Sequence, residues 1–166
     1  MDLKDALREA LDFEKKGRRI YLQTAAGTKN PHVKKTFEFL ANEEVNHIHE
    51  IEEFMQKENP EVELHGAKLD EVQKFFTTTV NEFRGDVDIV EDDVKAYETL
   101  MELEKKSYDF YEQRYNEAQD EQTKKFFMFL MDQESAHFTL LSKDLDYLRD
   151  PVGFFGKEEQ HFFEGG

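Results

Sequence analysis

The chain has 166 residues, enough for one domain with a real core, and mixes 38% apolar with 36% charged residues. Its formal net charge of −16 argues against nucleic-acid partners, whose phosphates it would repel, and no apolar run is long enough to span a membrane. The absence of cysteine excludes disulfides, thiolate catalysis, cysteine-bound zinc and iron–sulfur clusters.

The first predicted helix opens at Asp2, an N-cap, and runs to Ala26, where Gly27-Thr28-Lys29-Asn30 breaks it. The second takes Asn30 as N-cap and Pro31 as its first residue, and stops near Asn59-Pro60. A stretch at 60–90 is too long for a simple turn. Leu69, Val72, Phe76, Val80 and Phe83 recur within it at helical spacing, which predicts a short crossover helix. The third long helix begins between Glu91 and Asp93 and fades near Gln119, and the fourth runs from about Glu121 to Leu148, before Asp150-Pro151. The tail, 149–166, carries the pairs Phe154-Phe155 and Phe162-Phe163 and reads as a docking segment. The expected architecture is all-α: an antiparallel four-helix bundle over 1–148, made of hairpins at 2–59 and 91–148 joined by the crossover. The polar, periodic N-terminus is unlike a secretory signal, so a cytoplasmic location is expected.

The chain repeats itself at an offset of 90 residues. Glu14-Lys15-Lys16 returns as Glu104-Lys105-Lys106, Tyr21 as Tyr111, and Phe37-x-Phe39-Leu40 as Phe127-x-Phe129-Leu130. Glu44-x-x-His47 returns as Glu134-x-x-His137.

Each long helix interrupts its own apolar stripe with one glutamate. The first reads Leu3, Leu7, Ala10, Glu14, Gly17, Tyr21, and the second Val33, Phe37, Leu40, Ala41, Glu44, Ile48, Ile51, Met55. The third reads Tyr97, Leu100-Met101, Glu104, Tyr108, Tyr111, and the fourth Phe127, Leu130, Met131, Glu134, His137-Phe138, Leu141, Leu145. Glu14 and Glu44 are equidistant from Lys29, and Glu104 and Glu134 from Gln119, both in predicted loops. All four can therefore share one layer, roughly 22 Å from the hairpin loops at 1.5 Å rise per residue. Four buried carboxylates repel one another, and an uncompensated buried charge costs several kcal/mol. Something positive must sit among them.

Glu-x-x-His puts both side chains on one helix face, one turn apart. Oxygen-rich ligation with one imidazole per metal suits two iron ions, or manganese, with zinc as a possible substitute. The reading assigns Glu44 and Glu134 as bridging ligands, with Glu14 and His47 completing one metal and Glu104 and His137 the other. Tyr21 and Tyr111 are read either as hydrogen-bond donors or redox groups beside these carboxylates, or as plain core residues. Gly17 and Ser107 either leave room for a small oxidant or serve close helix packing. His32, His49, His65 and His161 lack matched partners and are expected at the surface.

This ordered set, Glu14, Glu44-x-x-His47, Glu104, Glu134-x-x-His137 with Tyr21 and Tyr111, resembles the rubrerythrin branch of the ferritin-like superfamily over about residues 2 to 148. The resemblance implies a di-iron centre that reduces hydrogen peroxide or O2, electrons from a rubredoxin-like donor, and a homodimer. Two departures stand out. Typical members carry a cysteine-bound rubredoxin iron, whereas this chain has no cysteine, so its donor would be a separate protein. They also carry a further glutamate where this chain has Met101. The symmetric six-residue set is also similar to bacterioferritin and manganese catalase, so a ferroxidase or iron-storage role, peroxide dismutation on manganese, and non-enzymatic iron binding are the rival expectations.

Overall fold

The computed structural model describes residues 1–56, 66–84 and 89–156. The chain is all-α, and no strand occurs among the described residues. Helices α1 (Leu3–Gly27) and α2 (Pro31–Gln56) form the first hairpin, and α4 (Glu91–Glu117) and α5 (Glu121–Arg149) the second; α3 (Leu69–Glu82) lies on the connection between them. A further short helical stretch covers 151–156.

The helix starts follow from side chains that satisfy the orphan amides of a first turn. Asp2 accepts from Lys4 N at α1, Asn30 Oδ1 from the amides of His32 and Val33 at α2, and Asp120 Oδ2 from Thr123 N at α5. The predicted bounds agree with these helices within a few residues; the expected stop of the second helix at Asn59-Pro60 lies outside the described residues, as do His65, His161 and Phe162-Phe163.

α1 packs on α2 and on α4, α4 packs on α5, and α3 lies against α5 and α2. α3 thereby roofs the seam between α2 and α5. One core half, built on Tyr21, Phe37, Leu40, Tyr97, Leu140 and Leu141, fills the end nearer the α1–α2 loop. The other, built on Leu7, Ile51, Phe54, Tyr111, Phe126 and Phe127, fills the opposite end. Each fully buried phenylalanine contributes about 1.5–3 kcal/mol of burial free energy. Between these two apolar halves lies a layer of glutamate and histidine.

The roof shifts the buried stripe of α2. Ile48 and Met55, expected in the core, are only half-buried, while Glu43, Glu50 and Phe54 are buried. Phe138, also expected in the core, is 36% exposed and faces a surface cleft.

Candidate metal centre

Glu14, Glu44, His47, Glu104, Glu134 and His137 all come to the mid-bundle layer, and none is more than 3% exposed. Donor atoms of Glu44, Glu104, Glu134 and His137 lie within 4.8 Å of one another, as do those of Glu14, His47 and Glu134. Glu134 therefore belongs to both groups. Glu44 spans them too: its Oε1 is 3.4 Å from His137 Nδ1 and its Oε2 is 3.9 Å from His47 Nδ1. These are the two carboxylates assigned above as bridging ligands. The two imidazole rings stack at 5.2 Å, with 14° between their planes, one for each half of the layer.

The donor set fits a pair of cations. Glu44 Oε2, Glu104 Oε2, Glu134 Oε1 and His137 Nδ1 are buried without a hydrogen-bond partner. Such orphaned acceptors cost about 1–3 kcal/mol each, and more when charged, unless a metal takes their lone pairs. Electrostatics point the same way. Burial pushes both imidazoles toward lower pKa, yet the facing carboxylates, Glu14 for His47 and Glu104 for His137, raise both above the ordinary range. The layer attracts positive charge.

The two tyrosines are hydrogen-bond donors, but each serves the opposite hairpin. Tyr21 on α1 donates to Glu104 Oε1 on α4 at 2.6 Å, and Tyr111 on α4 donates to Glu14 Oε1 on α1 at 2.8 Å. Seven residues up α1 correspond to seven residues down α4, so these helices run antiparallel. Burial first, and then the neighbouring glutamate charge, holds both phenols well above the usual pKa range. They stay protonated and keep donating.

A family model described as Rubrerythrin matches residues 5–145. The chain belongs to the rubrerythrin family. No curated protein and no solved structure matches it in the corresponding comparisons.

Among rubrerythrin-family features, the Glu-x-x-His pairs are carried by α2 and α5, the two helices roofed by the crossover. Two further residues hold that roof, and both escaped the sequence reading. Ala67 N donates to Glu43 Oε2 at 3.2 Å, and Gln133 Nε2 donates to Ala67 O at 3.2 Å. Gln133 Oε1 in turn faces His47 Nε2 at 3.2 Å. Glu43 and Gln133 obey the same 90-residue offset, and each directly precedes a shared glutamate, a signal that could have singled them out. With Nε2 so engaged, His47 turns Nδ1 inward, as a ligating histidine held from its far side does.

Gly17 lies against the site, where an added Cβ would meet Glu44 Cδ at 3.7 Å and Leu103 Cδ2 at 3.8 Å. A methyl fits, but a larger side chain would press on the Glu44 carboxylate. Ser107 serves its own helix, donating to Leu103 O at 3.0 Å. His49 is exposed as expected. His32 is not: it is 1% exposed, because Asp144 on α5 gives its Nε2 a partner at 2.6 Å. The layer opens on one side. A cleft of about 340 Å³ between α4 and α5 is lined by Glu104, Lys105, Tyr108, Glu134, Ser135 and Phe138. Two candidate ligands, one shared and one terminal, thus border solvent-accessible space.

Proposed function

We propose that this protein is a non-haem di-iron oxidoreductase that reduces hydrogen peroxide, or O2, at the Glu14, Glu44, His47, Glu104, Glu134 and His137 layer. The observation that carries the reading is the sharing of Glu44 and Glu134 between two carboxylate–imidazole groups, beside a cleft that reaches Glu104 and Glu134. A bound ferrous pair supplies one electron per ion, which with two protons converts peroxide to two waters.

The chain's own residues do the rest. The cleft of about 340 Å³ gives a small oxidant room to reach the layer beside Glu104 and Glu134. Tyr21 and Tyr111 hold Glu104 and Glu14 in place through one oxygen each, leaving the other oxygen for metal. Gln133 fixes the ring of His47 through Nε2. Glu44, whose two oxygens face different imidazoles, would help hold both ions of a bound pair.

Electrons come from a separate donor such as a rubredoxin-like protein, and the working unit is a homodimer in the cytoplasm. Manganese, or zinc as a substitute, is compatible with the same donors. The symmetric set, with half-buried Met101 in place of a further carboxylate, favours Fe(II) oxidation for storage as the second reading. The deciding experiment loads the protein anaerobically with Fe(II), mixes it with peroxide and follows the iron oxidation by stopped flow. Rapid oxidation followed by repeated turnover with a reductant is expected. No oxidation by peroxide would eliminate the peroxidase reading, and a native mass of a many-subunit cage would favour storage.

A further inference from the structure

Near the α1–α2 loop, His32, Asp144 and Tyr97 form a second buried polar cluster, on α2, α5 and α4. His32 Nε2 lies 2.6 Å from Asp144 Oδ1, and the Tyr97 hydroxyl donates to Asp144 Oδ2. All three are 1% exposed or less.

The internal repeat makes this cluster unusual. At the 90-residue offset Tyr97 and Asp144 correspond to Leu7 and Phe54, and His32 to Gln122. Leu7 and Phe54 are ordinary core residues, 3% and 5% exposed. The fold thus satisfies the equivalent place with apolar side chains, while burying a carboxylate and an imidazole here costs desolvation that the apolar pair avoids. Packing alone does not ask for them.

The cluster is also connected to the metal centre. Tyr21 donates to Glu104, its ring lies 5.7 Å from that of Phe37, and Phe37 lies 4.7 Å from Tyr97. Tyr97 sits two turns from Glu104 along α4, roughly 10 Å at 1.5 Å per residue.

We propose that Tyr97 is a one-electron redox residue, with Asp144 as its proton acceptor and His32 positioning Asp144. Its physiological oxidant is hydrogen peroxide at a metal pair that holds a single ferrous electron, so that part rests on the function proposed above. One electron leaves the Tyr97 ring through Phe37 and Tyr21 and, with the one ferrous electron and two protons from solvent, converts the peroxide to two waters. The phenolic O–H bond breaks, its proton passes to Asp144 Oδ2, and a neutral phenoxyl and a neutral carboxylic acid remain. A donor later returns the electron and Asp144 returns the proton. Without such an acceptor, oxidation would leave a buried cation, which an apolar core does not tolerate. Tyr21 and Tyr111 are poorer sites, because their protons could go only to carboxylates committed to the metal centre. Burial and then Asp144 hold the Tyr97 phenol well above its usual pKa, so it keeps its proton until it is oxidised.

The test uses the iron-loaded full chain in two arms read by electron paramagnetic resonance. In one, protein poised at one ferrous ion per metal pair is mixed with peroxide and freeze-quenched; in the other, a flash-generated ruthenium(III) polypyridyl complex removes the electron. Both arms are expected to give a tyrosyl radical that is lost in Tyr97→Phe and retained in Tyr115→Phe, a half-buried position near the end of α4. Asp144→Asn, which keeps the hydrogen-bonding shape but takes no proton, is expected to lose it as well. An undiminished radical in Tyr97→Phe, or no Tyr97-dependent signal in the flash arm, overturns the proposal. So does iron oxidation by peroxide without a Tyr97 radical. A flash-arm radical on Tyr97 with no peroxide reaction overturns the peroxide reading instead and leaves the redox role of Tyr97 standing. Circular dichroism of each variant checks folding, and the near-isosteric Tyr97→Phe decides if Asp144→Asn unfolds.

Discussion

His47 is held from behind by Gln133, whose Oε1 lies 3.2 Å from the imidazole Nε2 while its amide nitrogen donates to Ala67 O. One side chain therefore ties a candidate ligand to the crossover. A Cβ at Gly66 would fall 2.2 Å from Gln133 Oε1, so Gly66→Ala must displace that amide. Gly66→Ala and Gln133→Leu are each expected to destabilise the protein by about 1–2 kcal/mol through the lost hydrogen bonds. The double variant should cost clearly less than their sum, because both remove the same contacts. Urea unfolding of the four proteins measures this, and strict additivity would contradict it.

Ligand substitutions should separate shared from terminal carboxylates. Glu14→Ala is expected to retain one of two ions, since the Glu44, Glu104, Glu134 and His137 group survives. Glu134→Ala touches both groups and should lose both ions. Elemental analysis after anaerobic loading and desalting reads the stoichiometry directly; equal losses in the two variants would refute the shared role.

The same residues should carry opposite signs in metal-free protein. Glu44→Gln removes a buried charge among carboxylates, so its metal-free form is expected to melt higher than the metal-free parent. Its gain on adding metal should shrink. Calorimetric scans with and without Fe(II) or Mn(II) test both halves, and a lower metal-free melting temperature would count against a repulsive layer.

Tyr111→Phe keeps the ring but withdraws the only donor that Glu14 Oε1 receives from α4. A hydrogen bond to a charged group is worth about 1.5–3 kcal/mol, so a loss of that order is expected in unfolding experiments. Metal stoichiometry should remain at two.

At the start of α5, Asp120 has its pKa lowered by hydrogen bonds from the Thr123 backbone amide and hydroxyl. A depressed folded-state pKa stabilises above the unfolded value, near 3.8, and that contribution disappears as pH falls through the folded value. Asp120→Ala should therefore cost about 1 kcal/mol near neutrality. The gap between variant and parent should close on acidification, as paired melts from neutral to low pH would show.

The six candidate ligands were legible because their signals are local and periodic: each glutamate breaks an apolar stripe, and the midpoints of Glu14/Glu44 and Glu104/Glu134 fall in loops. Direction across the bundle was not. Tyr21 and Tyr111 follow Glu14 and Glu104 by two helical turns, roughly 10 Å, a spacing that names no partner, and their hydroxyls reach the other hairpin. Burial on the roofed face also depends on tertiary packing, so nothing in the apolar stripes marked Glu43 and Gln133, which are buried where residues 66–67 meet them. His32 was read as a surface residue because its partner Asp144 stands 112 positions away, with no spacing to announce it.

The crossed tyrosine–glutamate pairs make metal capture conditional on assembly. A nascent first hairpin holds Glu14, Glu44 and His47 but lacks the phenol that steadies Glu14 and the carboxylate that completes the shared set. Neither half holds either donor group complete, since each group draws on both hairpins. A cation entering the layer would therefore meet a bundle whose two halves have already docked.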